Sequence, residues 1–395
     1  MKNKKICIIG GGGHVGLPLG LVLASKGNEI YLYEKNKKIC SLLNKGIIPY
    51  YEVGAKKLLK KYKKKINAGF NSNFISQSDV IIVSVGTPVD KKLNPKFKDF
   101  FKLIYFLKKK INKNQILIIR SSVYPGVIEK IKNILGNVSN NISYCPERIL
   151  QGKAINELPK LPQIVSGYNK LSIEVSKNLF KSITRKIIIT SILEAELIKL
   201  FSNAWRYINF AASNQFFIIC QNFGIDFKKI RNFMMEGYSR NASLPKAGFA
   251  AGPCLLKDTM QLSHFVNKKF PLGIESLNIN EGLPRFIVND MKKKYKLKNK
   301  KIGILGLTFK SDVDDVRDSL SLKLLKILKK ISYKVYVSDE FYDHPEGISK
   351  ENLIKKSDIV IVAVPHTNYK KIKIPKNKVI IDTWGIVKKD NFQTL

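Results

Sequence analysis

Acidic side chains are scarce in this chain. Its 395 residues carry 30 Asp and Glu against 70 Lys and Arg, a formal net charge of +40. Such an imbalance would suit nucleic acid or an anionic membrane surface. The lysines argue against that use. They are spread along the whole length, as at Lys60-Lys61, Lys108-Lys109-Lys110, Lys292-Lys293-Lys294 and Lys329-Lys330, without one basic arm or a recognisable nucleic-acid motif. Isoleucine, asparagine, phenylalanine and tyrosine are abundant too, and with lysine they share AT-rich codons. A low-GC genome with solvated lysines therefore accounts for the charge. Neither nucleic acid nor membrane is expected as a partner, and a general attraction for anionic substrates follows as a by-product.

Cysteine is also sparse. Five residues, at 7, 40, 145, 220 and 254, are odd in number and contain no C-x-x-C pair, which excludes a disulfide framework and a zinc ribbon, so no metal is expected. Reduced thiols fit the cytoplasm. Cys7, Cys40 and Cys220 read as core residues. No apolar run reaches 18 residues, so no membrane span is expected. The basic, apolar start from Met1 to Ile9 resembles a signal peptide, but it breaks into glycines and is better explained as a first strand. With 44% hydrophobic residues the chain can fill the two or three domains its length suggests.

What is present begins at that strand. Lys5-Ile6-Cys7-Ile8-Ile9 is followed by Gly11-Gly12-Gly13-His14-Val15-Gly16 and then by the apolar helix pattern Leu17 to Ala24. This is G-x-G-x-x-G in its required context: glycines for a tight turn and close approach of backbone amides to a pyrophosphate resting on a helix N-terminus. A second strand, Glu29 to Tyr33, ends at Glu34, near the spacing where a carboxylate binds the adenosine ribose and repels a 2′-phosphate, favouring NAD over NADP.

A second candidate lies at Gly252-Pro253-Cys254-Leu255-Leu256-Lys257-Asp258. Cys254 would sit near the positive end of a helix, with Lys257 close by, the setting of a nucleophilic thiol. Asp258 falls one turn later on the same face. On spacing alone, a buried free cysteine acting as a small hydrophobe fits equally well.

Strand patterns at Val80 to Val85, Ile116 to Ile119, Gln163 to Ser166 and Lys186 to Ile189 alternate with helical stretches, implying a mainly parallel sheet. From Leu193 to Phe223 the pattern is a long helix closed by Gly224. Lys301 to Gly306 opens a second strand-and-glycine unit, continued at Tyr333 to Val337, Ile359 to Val364 and Val379 to Asp382. The expectation is an α/β fold of two Rossmann-like domains with parallel sheets joined by a central helical domain containing the long helix: 1–192, 193–298 and 299–395. The lysine-rich stretch from Lys292 to Lys301 marks the later boundary.

These residues carry a resemblance. With the fingerprint go Leu43-Asn44-Lys45-Gly46-Ile47-Ile48-Pro49-Tyr50-Tyr51-Glu52, Gly86-Thr87-Pro88, Pro146-Glu147-Arg148, Glu194 to Leu200 with Asn203, Cys254 to Asp258, and Gly306-Leu307-Thr308-Phe309-Lys310 with Asp315 and Arg317. In this order they resemble the UDP-glucose/GDP-mannose dehydrogenase family, the nucleotide-sugar 6-dehydrogenases, from Ile6 to about Gly385. The resemblance implies two hydride transfers from a sugar C6 alcohol to NAD, giving a uronic acid of the kind used in polysaccharide biosynthesis, with a cysteine capturing the aldehyde between them.

It further implies Cys254 as nucleophile, Lys199 and Asn203 as oxyanion stabilisers, and Glu147 and Asp258 as the groups that work on water. Ser122 stands where the family usually has threonine. Gly11, Gly13, His14, Val15, Gly16, Glu34 and Thr87 would hold NAD, and Arg240, Lys257, Lys310 and Arg317 the nucleotide sugar. A homodimer through the long helix is implied as well. In isolation, Lys199 and Asn203 read as a polar helix face, Glu147 as a surface ion pair with Arg148, and Arg317 as part of a solvated cluster with Asp315 and Asp318.

The chain departs from the family in having Gly248-Phe249-Ala250-Ala251-Gly252-Pro253 where many relatives have a glycine run. Lys257 before Asp258 resembles the UDP-glucose branch, whereas Pro365-His366 with Tyr369 resembles enzymes of UDP-N-acetylhexosamines. The expected substrate is a UDP-sugar, with the acetamido sugars preferred. The alternative is a simple NAD-dependent hydroxyacid dehydrogenase, which needs one hydride transfer, no cysteine and no second Rossmann-like unit.

Overall fold

The computed structural model describes residues 3–90, 92–387 and 393–394. The chain divides into two compact units, Met1–Ser202 with Met260–Asn267, and Asn203–Thr259 with Lys268–Leu395.

The first unit is built on β1 (Lys5–Ile9), β2 (Glu29–Tyr33), β3 (Ile66–Gly69), β4 (Val80–Val83), β5 (Ile116–Ile119), β6 (Ile142–Tyr144), β7 (Gln163–Gly167) and β8 (Ile187–Ile189). They lie in the order β3-β2-β1-β4-β5-β6-β7-β8. Neighbours are parallel except β6 and β7, which run antiparallel through Ser143↔Gly167 and Tyr144↔Ser166. β1 pairs with both β2 and β4, so the chain reverses its direction of travel across the sheet between β1 and β4. That topological switch point is where open α/β sheets bind ligands, outside the carboxyl ends of the strands. All four residues of β4 and of β5 are buried, as strands covered on both faces must be. Each such Ile or Val stabilises the fold by roughly 1.5–3 kcal/mol relative to exposure.

The long helix spans Ile192–Asn222, 31 residues. Gly224 terminates it with φ +67°. The Ile225 amide donates to the Cys220 carbonyl at 2.9 Å, the six-to-one bond of a Schellman end. Cys220 is only partly buried there, whereas Cys7 and Cys40 are core residues as expected.

The second unit holds β9 (Lys301–Leu305), β10 (Lys334–Ser338), β11 (Ile359–Val362), β12 (Val379–Ile381) and β13 (Gln393–Thr394). They form one sheet in the order β10-β9-β11-β12-β13, parallel throughout. Helix Pro271–Lys294 lays Leu283, Ile287, Val288 and Met291 into a core shared with Ile302, Ile304, Leu320 and Leu324. The lysine-rich stretch after it is the end of that helix and a short turn, pinned by buried Leu297. No helix among the described residues is long and apolar enough to cross a membrane.

Candidate active site

The glycines after β1 differ in what surrounds them. A Cβ on Gly11 would lie 2.7 Å from Leu32 Cα and 2.8 Å from the Ile8 oxygen, and one on Gly16 2.4 Å from the Gly10 oxygen. Both are closed by backbone packing. At Gly13 the added atom would meet only the Gly10 oxygen, at 3.3 Å, leaving that face open to a ligand. The outer two glycines make the turn and the middle one leaves the approach, so a dinucleotide fits this loop. Val15 stands at the N-cap position of helix Gly16–Ser25 without a side-chain hydrogen bond to it. Tyr50 braces the loop: its hydroxyl donates to the Gly13 carbonyl at 2.8 Å and its ring lies 3.9 Å from that of His14.

Glu34, at the end of β2, accepts from the Gly12 amide at 3.3 Å and the Asn36 amide at 3.0 Å. Its carboxylate is therefore held beside the glycine turn. Thr87, after β4, donates to the Ser122 carbonyl at 2.5 Å, while its own carbonyl accepts from Gln261 at 3.0 Å. The structure thus joins Thr87 and Ser122, which stand at the ends of neighbouring strands β4 and β5.

Glu147 is not paired with Arg148 at the surface. It is buried, and its ionic partner is Arg120, a residue the sequence reading did not single out. Arg120 follows β5 directly. It bonds Glu147 Oε2, donates to Gln163 Oε1 at 3.0 Å and to the Cys145 carbonyl at 3.2 Å, and stacks on Phe180 at 4.6 Å. The other carboxylate oxygen of Glu147 accepts from the Arg148 and Ile149 amides at 2.7 and 3.1 Å. Arg148 turns instead to the Pro162 carbonyl. A clue was legible: a charged residue straight after a continuous apolar strand lies on the rim where α/β proteins keep their chemistry.

Lys199 and Asn203 stand one turn apart on the long helix, both buried. Three residues before Lys199, Glu196 is 1% exposed and accepts from the Gly126 and Ile128 amides at 2.9 and 3.0 Å. It caps helix Val127–Leu135. Burial pushes its carboxyl up to about 6, against the opposing pull of those amides.

In the second unit Cys254 is exposed and immediately precedes helix Leu255–Phe265. This rejects the buried-hydrophobe alternative. The Asp258 amide donates to the Cys254 carbonyl at 2.9 Å, which closes the first turn. Asp258 is fully buried, with Asn203 Nδ2 at 2.5 Å from one oxygen and Lys257 Nζ at 2.5 Å from the other. Lys257, expected to meet substrate, is thus engaged by its neighbour's carboxylate. Two residues before Cys254, Gly252 has φ +103°, and a Cβ there would sit 2.3 Å from the Phe309 ring.

Phe309 and Lys310 belong to the loop after β9. Lys310 Nζ lies 5.8 Å from the Phe309 ring centroid. Arg317 grips Asp315 through Nε at 3.0 Å to both oxygens and Nη2 at 2.6 Å to one. Asp315 raises its basicity, burial opposes, and Cys254 adds in the same direction as Asp315. The pair is no solvated cluster on the Asp315 side, since that carboxylate is buried. Arg240 lies exposed in the turn Ser239–Asn241, bonded to the Tyr238 hydroxyl at 3.2 Å.

Comparison with known proteins agrees with this geometry. Residues 4–184 match the NAD binding domain of the UDP-glucose/GDP-mannose dehydrogenase family, 193–281 its central domain and 303–389 its UDP binding domain. A UDP-N-acetyl-D-mannosamine dehydrogenase of Methanococcus maripaludis is 29% identical over 97% of this chain and 93% of its own length. One from Campylobacter jejuni is 26% identical over 95% and 98%. The solved UDP-D-ManNAc dehydrogenase of Pyrococcus horikoshii shares the fold with a TM-score of 0.89, at 24% identity over 98% of each chain. The three domain matches in order, on a chain whose glycine loop is shaped for a dinucleotide, make this protein a member of the UDP-glucose/GDP-mannose dehydrogenase family and an NAD-dependent dehydrogenase with a UDP binding domain.

Proposed function

We propose that this enzyme oxidises the C6 alcohol of a UDP-N-acetylhexosamine, UDP-N-acetyl-D-mannosamine foremost, to the carboxylate through a covalent intermediate on Cys254. The observation that carries the reading is an exposed thiol one residue before a helix whose buried Asp258 is gripped by Asn203 and Lys257. The names of the relatives support the acetamido sugar. We assign 1–192 to NAD binding, 193–298 to the catalytic centre and 299–395 to the nucleotide sugar.

Bound NAD would accept a hydride in each of two oxidations. The C6 alcohol first loses a hydride and a proton to become an aldehyde. The Cys254 sulfur then adds to the carbonyl carbon, and its proton goes to the oxygen, giving a thiohemiacetal. Loss of a second hydride from that carbon and a proton from its hydroxyl leaves a thioester. Water adds, the C–S bond breaks, the carboxylate leaves and the thiol is restored. Lys199 and Asn203 stabilise charge on the sugar oxygen at each stage. Asp258 and Glu147 orient the water and take its proton, with the Ser122 hydroxyl assisting. Lys310, Arg317 and Arg240 supply cations for the diphosphate, while Lys257 holds Asp258. Holding the aldehyde covalently prevents its escape between the oxidations.

The test is a panel of UDP- and GDP-sugars assayed for NADH. Two NADH per sugar, with a UDP-acetamido sugar preferred, is the expected result. One NADH per molecule, or turnover of a simple hydroxyacid instead, would overturn the reading. We assign the enzyme to the cytoplasm, in keeping with its five free cysteines. A homodimer is supported by the exposed Phe201, Trp205, Phe216, Ile219 and Phe223 on and beside the long helix, apolar side chains whose burial against a second copy would be favourable. A monodisperse monomer in light scattering would count against it.

A further inference from the structure

The site above leaves His366 and Tyr369 without a part in the chemistry. Both side chains are completely buried, so neither touches a substrate. His366 lies under the loop that follows β9 and is bonded on both sides, with the Tyr369 ring 5.1 Å from its own. The Asp312 amide donates to Nδ1 at 3.0 Å, so Nδ1 carries no proton. Nε2 stands 3.1 Å from Asp339 Oδ2, a contact that then requires the proton on Nε2. The same Asp339 oxygen accepts from the Leu307 and Thr308 amides at 2.5 and 3.1 Å. At the far side, the Asp312 carboxylate accepts from the Thr367 amide at 2.9 Å and its hydroxyl at 2.7 Å.

We propose that His366, as a neutral imidazole protonated on Nε2, is a positioning residue that fixes the 307–312 loop and so the Lys310 ammonium that binds the nucleotide sugar. This rests on the reading above in which Lys310 meets the diphosphate. Lys310 sits between the two tethered ends of the loop, and its carbonyl accepts from the Thr308 hydroxyl at 2.9 Å. Asp312 has φ +56°, a left-handed conformation that a residue with a side chain keeps only when its surroundings hold it. His366 and Thr367 are what hold it. Burial opposes the Asp339 charge, but the His366 and backbone donors outweigh it and keep its carboxyl below its ordinary range. A loop tied through one imidazole to a charged anchor is ordered before substrate arrives, and pre-ordering shows as affinity. The His366–Tyr369 segment would then influence which nucleotide sugar is held only through this loop.

The experiment is calorimetric titration of the full-length enzyme with UDP and with NAD, together with steady-state kinetics. His366→Phe keeps a ring and removes both nitrogen bonds. It is expected to raise the Kd for UDP and the KM for the nucleotide sugar roughly tenfold, the effect of losing two hydrogen bonds, while kcat and NAD affinity hold. His366→Gln, whose amide again offers one acceptor and one donor, should recover part of the loss. Should the Phe variant fail to fold, Thr367→Val deletes only the exposed hydroxyl tie to Asp312 and should weaken UDP binding roughly threefold. Unchanged UDP affinity in the folded Phe variant, or in Thr367→Val in its place, overturns the proposal, as does a Gln variant no better than Phe. A wild-type enzyme that fails to bind UDP at all would overturn the functional reading, and this proposal with it.

Discussion

Arg120 and Glu147 form an ion pair withdrawn from water, with side chains 0% and 7% exposed. A buried pair is costly to assemble, and removing one member strands the other charge in a poorly polarisable interior. Arg120→Met should therefore destabilise the enzyme by about 3–5 kcal/mol, read as a lower urea midpoint. The double variant Arg120→Met/Glu147→Gln should lose less than the two single losses added together. Strict additivity would mean the two groups do not depend on each other.

The two kinds of glycine in the dinucleotide loop should separate by experiment. Gly13→Ala places its methyl 3.3 Å from the Gly10 oxygen and near nothing else, so the fold should persist while NAD affinity falls, because the methyl occupies the approach to the backbone. Gly16→Ala drives its methyl against the Gly10 oxygen and should lower stability even without NAD. Equal thermal shifts in the two apoproteins would contradict this distinction. Glu34, held beside the same turn, should make the wild type strongly prefer NAD. Glu34→Ala should narrow the preference over NADP in kcat/KM without abolishing activity.

Cys254→Ala loses one exposed side chain and should leave folding and NAD binding intact while stopping carboxylate formation. The expected loss is on the order of 10⁴ to 10⁶ in rate, typical where catalytic groups act as a unit. Normal turnover with two NADH in this variant would sink the covalent mechanism and favour a hydrated-aldehyde route through Lys199 and Glu147.

Glu196 gives a pH signature. Its folded-state pKa, raised to about 6 from an ordinary 4.5, means that the folded protein holds this proton more tightly than the unfolded chain. The corresponding stability is fully present below the unfolded value and is lost as pH rises through about 6. Relative to Glu196→Gln, the wild type should lose roughly 2 kcal/mol between the two ends of that window. Denaturant melts of both proteins across it check the slope, and parallel curves would show that Glu196 does not titrate there.

Much of this architecture was legible because it depends on local chemistry. The strand–glycine–helix order around Gly11, Gly13 and Gly16 is a steric requirement written into consecutive residues, and the long helix announced both its period and its glycine stop. β3 and β6 escaped notice: Ile66-Asn67-Ala68-Gly69 and Ile142-Ser143-Tyr144 are too short and mixed to show a period. The antiparallel turn of β7 against β6 leaves no local mark either. Among site residues, the thiol and its helix could be read, but pairings across long separations could not. Nothing near Glu147 points to Arg120, because Arg148 is the obvious neighbour and the true partner arrives from another strand. His366 and Tyr369 could be read as a resemblance to enzymes of UDP-N-acetylhexosamines, but their complete burial and the bonds of His366 to Asp312 and Asp339 appear only in the fold.

The hydrogen atom of Gly252 is all that separates the turn before Cys254 from the Phe309 ring. At that distance the ring leaves no room for even a methyl group on the turn. The turn that carries Cys254 and the loop after β9 that carries Phe309 and Lys310 are thus packed directly against each other. Residue 252 is closed to any larger side chain twice over, by its backbone angle and by that ring, so trimming Phe309 would relieve only one of the two obstacles.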